Sequence, residues 1–366
     1  MNGPITFVLG TRPEIIKLAP VIHTCRERDV PYTILHTGQH YSETLDSVFF
    51  NQLELPEPDV NLAVGSGSHG EQTGEMLIRM ERVLEDMAPE VVLVQGDTNS
   101  VLAGAIAASK MDVELGHVEA GLRSFDRDMP EEINRIVADH VSTYLFAPTD
   151  GSRRQLLDEG IPEARITVTG NTVVDAVYRN QEIARRRSNV IPELGLRGTE
   201  YFLMTAHRAE NVDDEGRFRE ILQGAAQAGQ AHGAEVIYPI HPRARDRLEA
   251  FDLEVPDQIR TIPPQEYLDF LRLEAEATLI LTDSGGVQEE ACILGVPCVT
   301  MRDSTERPET IDVGANTLCR PDADTIVRGV AEMTNADTEW ENPFGDGNAG
   351  GRIVAELVAD RNPVVQ

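Results

Sequence analysis

The stretch LILTDSGGVQEEACILGVPC, Leu279 to Cys298, runs from an apolar segment through Asp-Ser-Gly-Gly straight into a helical pattern, and ends as another apolar segment begins. A strand joined to a helix by a short glycine turn, with a further strand close behind, is the repeating unit of a parallel sheet. The helix N-terminus in such a turn attracts anions. Yet Glu289 and Glu290 lie in the opening turns of this helix, and carboxylates repel phosphates. A ligand of this turn must therefore combine an anionic part with a neutral, hydrogen-donating one.

Outward from this stretch, apolar β-branched runs alternate with amphipathic segments along the whole chain. The first half carries seven strand candidates, ITFVLG, YTILHTG, VNLAV, VVLVQGD, VELGHVEAG, YLFAPT and ITVTG. The second half carries six, YFLMTAH, EVIYPIH, IRTIP, TLILTDS, PCVTM and TLCRP. The alternation predicts an α/β protein with parallel, doubly wound sheets covered by helices on both faces. Thirteen strands exceed a usual open sheet, and 366 residues exceed a usual single core. Two domains are expected, over 1–178 and 200–345, with the poorly patterned stretch at about 179–199 as a linker. Their strand C-terminal edges would line a shared cleft.

Composition narrows the partners. The formal charge is -30, spread along the chain, and lysine occurs only as Lys17 and Lys110. This acidic, lysine-poor balance resembles that of proteins from salt-accumulating halophiles, in which screening relieves self-repulsion. Such a field disfavours nucleic acid and anionic membranes. No run of about 18 apolar residues is present and the N-terminus lacks a charged leader, so a cytoplasmic protein is expected. Cys25, Cys292, Cys298 and Cys319 show no metal-ligand or redox spacing, and no metal site is expected.

Three signals bear on chemistry in the first half. In VLGTRPEIIKLAP, Gly10 suits a tight turn, Pro13 the first helical turn, and Arg12 and Lys17 stand near the anion-attracting helix end; Arg12 could equally pair with Glu14. In VLVQGDTNSVLAG, Asp97 leaves a strand beside the helix caps Thr98 and Asn99, and reads either as a cap or as an acid facing a ligand. Glu119 ends the next strand among small residues, and Glu131 opens a helix two residues after Met129. Three carboxylates at consecutive strand edges can share one pocket and acquire different pKa values, which is general acid and base equipment.

In the second half, His207 and Arg208 follow the first strand, and His241, Arg243 and Arg245 follow the second; these basic groups suit either surface pairs or an anionic ligand. The run GSGSHG, Gly65 to Gly70, matches a dinucleotide fingerprint in spacing. It follows the third strand candidate instead of the first and lacks the downstream acid, so it reads as a glycine loop and no nicotinamide cofactor is expected.

Together, GTRPEIIKLAP, TGQHY, GDTNS, GHVEAGLRS, PEEINR, TGNTVVDA, AHRAEN, TDSGGVQEEA, RDSTERPET and NPFGDGNA resemble the non-hydrolysing UDP-N-acetylglucosamine 2-epimerase family, in order, from residue 5 to about 360. The resemblance implies the GT-B fold, two Rossmann-like domains facing a cleft, with a C-terminal helix at about 348–362 packing back on the first. It implies interconversion of UDP-N-acetylglucosamine and UDP-N-acetylmannosamine by anti elimination of UDP to 2-acetamidoglucal and re-addition, without a cofactor. The hydrogen on carbon 2 is not acidic, so a departing group replaces the oxidised neighbour that a cofactor would supply. The hydrolysing relatives and a GT-B glycosyltransferase are the alternatives.

Carried over, Asp97, Glu119 and Glu131 match the family's catalytic acids and His207 its essential histidine. Arg12, Lys17 and Arg307 match nucleotide-sugar contacts, and Gln265 and Phe270 the uridine side. Ser284, Gly285 and Gly286 would take the pyrophosphate, and Glu290 the ribose hydroxyls. Gln39 and His40 resemble part of the bacterial allosteric site for a second UDP-N-acetylglucosamine. Tyr41-Ser42 and Ala209 depart from the bacterial motifs and resemble the archaeal branch. Family members are commonly dimers, so a homodimer is expected.

Overall fold

A computed structural model describes residues 3–39 and 43–359, without the side chains of 43–47. Two compact units divide the chain, 1–176 with 344–366, and 177–343. All thirteen strand candidates are strands. The first unit has β1 (Ile5–Leu9), β2 (Tyr32–His36), β3 (Val60–Asn61), β4 (Val91–Gln95), β5 (Glu114–Val118), β6 (Tyr144–Ala147) and β7 (Ile166–Val168). They form one parallel sheet in the order β3-β2-β1-β4-β5-β6-β7.

The second unit has β8 (Tyr201–Thr205), β9 (Glu235–Pro239), β10 (Ile259–Ile262), β11 (Leu279–Thr282), β12 (Cys298–Met301) and β13 (Asn316–Cys319). Their order, β10-β9-β8-β11-β12-β13, repeats that of the first six strands of the other unit. Both sheets therefore reverse direction between their first and fourth strands, and ligands of such sheets bind outside the strand ends at that point. The central strands β1, β4, β11 and β12 are buried along their full length, because helices cover both faces. VNLAV contributes only two residues of strand, at the sheet edge.

The stretch 179–199 is largely helical. Helix Thr172–Arg187 runs into it, followed by helix Val190–Glu193. Ile183 and Ala184 pack on Leu268 with Tyr267 against them, a small apolar face that periodicity does not reveal. Helix Ala349–Ala359 packs on helix Arg12–Glu27 within the first unit. Gly350 lies so close to Pro20 that a Cβ would sit 3.0 Å from its carbonyl carbon. Asp175 accepts from the amides of Ala349 and Gly350, at 3.1 and 2.9 Å, and so holds the start of that helix. No described helix is long and apolar enough to cross a membrane.

Candidate functional site

In the first unit, the turns after β1, β4 and β5 carry the predicted residues. Glycine is required at Gly10, since a Cβ would collide with the hydroxyls of Thr37 and Ser100. Arg12 opens helix Arg12–Glu27, and its guanidinium lies over the Phe49 ring at 5.7 Å. Glu14 turns inward instead of pairing with Arg12. Its buried carboxylate accepts from the amides of Gly10 and Thr11, both at 2.7 Å, and from the Thr11 and Thr98 hydroxyls. Burial, opposed by those four donors, pushes its pKa up to about 7.

Lys17 Nζ meets Glu119 Oε1 at 2.6 Å, and Gln95 Nε2 donates to Glu119 Oε2 at 2.5 Å. Glu119 is buried and sits at a φ of +68°, a left-handed conformation that is costly for a side chain and persists where the surroundings enforce it. Asp97 is not the helix cap. Thr98 fills that position and accepts from the amides of Ser100 and Val101, which leaves the Asp97 carboxylate to accept from Arg135 Nε and Nη2 at 3.0 and 2.7 Å. Asn134 Nδ2 donates to the Asp97 carbonyl at 2.8 Å. Glu131 is half-buried in the first turn of helix Pro130–Val141. Its neighbour Glu132 is buried and accepts from the amides of Ser124 and Phe125 and from Arg135; burial raises its pKa, but these donors prevail and the net shift is downward.

A buried chain of charge supports these turns. His117 on β5 contacts Asp139 Oδ1 at 2.7 Å through Nδ1 and the Gly96 carbonyl at 2.8 Å through Nε2. Burial disfavours its cation, but Asp139 and Gly96 outweigh burial and raise the pKa. Asp139 also accepts from the Gly121 amide at 3.1 Å and pairs with Arg123 at 2.7 Å, which pairs in turn with Glu159. The turns before Asp97 and after Glu119 are thus tied to one network. Arg135, Gln95, His117 and Asp139 were not anticipated from sequence; the Arg135–Asp97, Gln95–Glu119 and His117–Asp139 contacts span 38, 24 and 22 residues of chain, where local pattern carries no signal.

In the second unit, a cavity of about 230 Å³ opens at the sheet's switch point, lined among others by His207, His241, Gln265, Phe270, Ser284 and Val287. Four predicted residues, His207, Gln265, Phe270 and Ser284, are brought together there. His207 Nδ1 lies 3.0 Å from Asp283 Oδ1, and Asp283 also accepts from the amides of His207 and Arg208 and from Asn211 Nδ2. Burial raises the pKa of Asp283, but these donors hold it below the usual carboxylate range. A carboxylate on Nδ1 leaves Nε2 of the ring for a ligand. His241 accepts from the Arg243 amide through Nδ1, and its ring centre is 5.7 Å from that of His207. Burial, His207 and Arg243 lower its pKa. Arg243 itself pairs with Asp213 on the surface.

Ser284 precedes helix Gly285–Leu294 in the N-cap position, but its hydroxyl makes no capping bond. Gly285 and Gly286 open that helix. Glu289 is buried and pairs with Arg307 at 2.8 Å. Glu290 lies close to Glu274, which is fully buried. Burial, then the charge of Glu290, hold Glu274 well above the usual carboxylate range. Among the described residues the cavity lining does not include Glu290 or Arg307. Gln39 is buried, and its side-chain oxygen accepts from the Ser100 amide and hydroxyl at 3.1 and 2.8 Å. His40 lies outside the described residues.

The profile of the family described as UDP-N-acetylglucosamine 2-epimerase matches residues 23–358. The chain belongs to the UDP-N-acetylglucosamine 2-epimerase family. It is 52% identical to the UDP-N-acetylglucosamine 2-epimerase of Methanocaldococcus jannaschii over 359 residues, 96% of this chain and 98% of that one. The crystal structure of the same archaeal enzyme in complex with UDP-GlcNAc and UDP superposes with a TM-score of 0.85, covering 97% of this chain and 99% of that one. The Neisseria meningitidis family member, bound to UDP-GlcNAc, is 34% identical with a TM-score of 0.83, covering 97% of this chain and 100% of its own. Higher identity to the archaeal protein agrees with the archaeal-type motifs, and the family's GT-B fold agrees with the two Rossmann-like sheets.

Proposed function

We propose that this protein interconverts UDP-N-acetylglucosamine and UDP-N-acetylmannosamine without hydrolysing them. The observation that carries this reading is the pairing of two different chemistries at equivalent edges of the two sheets. In the first unit, Asp97 and Glu119 sit at neighbouring strand ends, gripped by Arg135 and Lys17, with Glu131 in the next helix. In the second, an apolar-walled cavity holds Phe270 and Gln265 beside Ser284 and an Asp283-bound histidine. The first set suits moving a proton on a neutral sugar, and the second suits holding a uridine and its phosphates.

In the proposed mechanism, one carboxylate takes the proton from carbon 2 as the bond from carbon 1 to the phosphate oxygen breaks. The electron pair of the C–H bond becomes the double bond of 2-acetamidoglucal, and UDP departs with the pair of the C–O bond. Asp97 and Glu131 act as the acid and base pair, and Glu119 holds the sugar. His207, through Nε2, stabilises the departing phosphate. The proton then returns to the opposite face of carbon 2, and UDP adds back to carbon 1. Arg12, Lys17 and Arg307 contact the phosphates or sugar, Ser284, Gly285 and Gly286 the pyrophosphate, and Glu290 the ribose. The working protein is a homodimer, which light scattering checks.

The test is incubation with UDP-N-acetylglucosamine in deuterated water at high salt. The expected product is UDP-N-acetylmannosamine carrying deuterium at carbon 2. Release of free N-acetylmannosamine, or turnover without deuterium uptake, overturns the mechanism.

A further inference from the structure

Glu14 is buried and has no part in the scheme above. Its position is unusual for a helix-capping acid. Oε2 gathers the amides of Gly10 and Thr11 and the Thr11 hydroxyl, all from the turn after β1 that presents Arg12 and, one helical turn on, Lys17. Oε1 reaches across 84 residues of chain to the Thr98 hydroxyl, in the turn after β4 that presents Asp97. Thr98 is the cap of helix Asn99–Ala108, so the same hydroxyl accepts from the amides of Ser100 and Val101. The two turns flank the switch point of the sheet, where β1 and β4 are direct neighbours.

Among the described residues, the groups that hydrogen-bond to the Glu14 carboxyl are uncharged: Gly10, Thr11 and Thr98. The charges nearby face elsewhere, Arg12 over Phe49, Lys17 on Glu119, and Asp97 on Arg135. A buried carboxyl held by uncharged donors contributes little to stability for its cost in desolvation. What such an arrangement does supply is fixed geometry, since each donor belongs to backbone or to a short side chain.

From these contacts we infer that Glu14 is a positioning residue, a clamp that holds the turn of Arg12 and Lys17 in register with the turn of Asp97. The inference rests on the proposed role of Asp97 as acid and base. Through it, the phosphate-side cations and the proton-transferring carboxylate keep one spacing during turnover. Misplacement by about 1 Å is enough to cost about a hundredfold in rate without loss of binding. A glutamine can substitute in this role, because it keeps the side-chain length and an acceptor oxygen for the Gly10 and Thr11 donors. Alanine cannot.

The test compares Glu14→Gln and Glu14→Ala in the full-length protein by two independent readouts. The first is kcat and KM with UDP-N-acetylglucosamine, together with the Kd for UDP. Glu14→Ala is expected to lose at least tenfold in kcat per folded molecule with UDP affinity within about threefold, and Glu14→Gln to stay within about threefold of the parent. The second is amide hydrogen exchange. In Glu14→Ala, protection should fall together at Gly10, Thr11, Ser100 and Val101, and return in Glu14→Gln. Loss confined to residues 10–14, or an unchanged kcat in Glu14→Ala, overturns the clamp. If the parent protein does not turn over the nucleotide sugar, the functional reading fails and hydrogen exchange alone decides the linkage. If Glu14→Ala does not fold, Thr98→Val removes the far anchor together with the helix cap; released amides at 10 and 11 with a lowered kcat support the clamp, and unchanged protection there overturns it.

Discussion

The two units share a strand order and a switch point, yet their edges solve opposite electrostatic problems. In the first unit, carboxylates are concentrated at the strand ends and cations hold them: Lys17 on Glu119, Arg135 on Asp97 and Glu132, Arg123 on Asp139. In the second, one buried carboxylate, Asp283, gathers two backbone amides, an asparagine and the imidazole of His207. On the proposed function, the first edge keeps acids ready beside a ligand. The second spends its acid on orienting a base. A common scaffold therefore leaves chemistry to the turns.

That contrast predicts effects of different kind and size. Replacing Asp97 by asparagine should lower kcat by about a thousandfold while UDP binding stays within about tenfold, because the chemical step loses its proton carrier; steady-state rates and UDP titration check this. A loss of binding comparable to the loss of rate would erase the division between the units. Next in size is the pH dependence of Glu14. Its folded pKa of about 7 lies above the ordinary 4.5, so folding favours the protonated acid. The stabilisation is complete below pH 4.5 and is lost as pH rises toward about 7. Relative to Glu14→Gln, the parent should lose about 3 kcal/mol of stability across that interval, measurable by denaturant unfolding at constant salt.

Asp283→Asn should cost about 10- to 100-fold in kcat, the worth of a charged hydrogen bond that orients His207. It should also flatten the acid side of the stability profile. The folded pKa of Asp283 is lowered, so its contribution is present above the usual carboxylate range and is lost as pH falls through the folded value. Ser284→Ala should have the smallest effect, a roughly two- to tenfold weaker UDP Kd with unchanged melting temperature, because its hydroxyl caps nothing in the folded chain. An altered melting temperature would mean that the hydroxyl serves the fold and not the ligand.

The sheet was legible because parallel strands covered on both faces leave continuous β-branched runs, and every run proved to be a strand. The strand-edge acids were legible for the same reason, since a charge that interrupts such a run at its end stands out. What could not be read was neutralisation. Arg135 lies 38 residues from Asp97, Lys17 lies 102 from Glu119, and the His117–Asp139 pair spans 22, and local pattern says nothing of such distances. Likewise Glu289 and Glu290 look alike in sequence, yet one pairs with Arg307 and the other lies close to Glu274, because adjacent helical positions face different neighbours. The second half of the helix at 172–187 read as unpatterned because its buried apolar residues there are only Ile183 and Ala184.

The helix Ala349–Ala359, pinned by Asp175 and by the approach of Gly350 to Pro20, also sets a timetable. The second unit is one uninterrupted segment, 177–343, whereas the first is completed by a segment that follows it. A ribosome delivers all of the second unit before it delivers the last piece of the first. Residues 1–176 therefore wait, with the face that Ile353, Val354 and Leu357 will cover still open, while the later unit folds around its own contacts. In vectorial synthesis the half of the protein that emerges first is the half that finishes last.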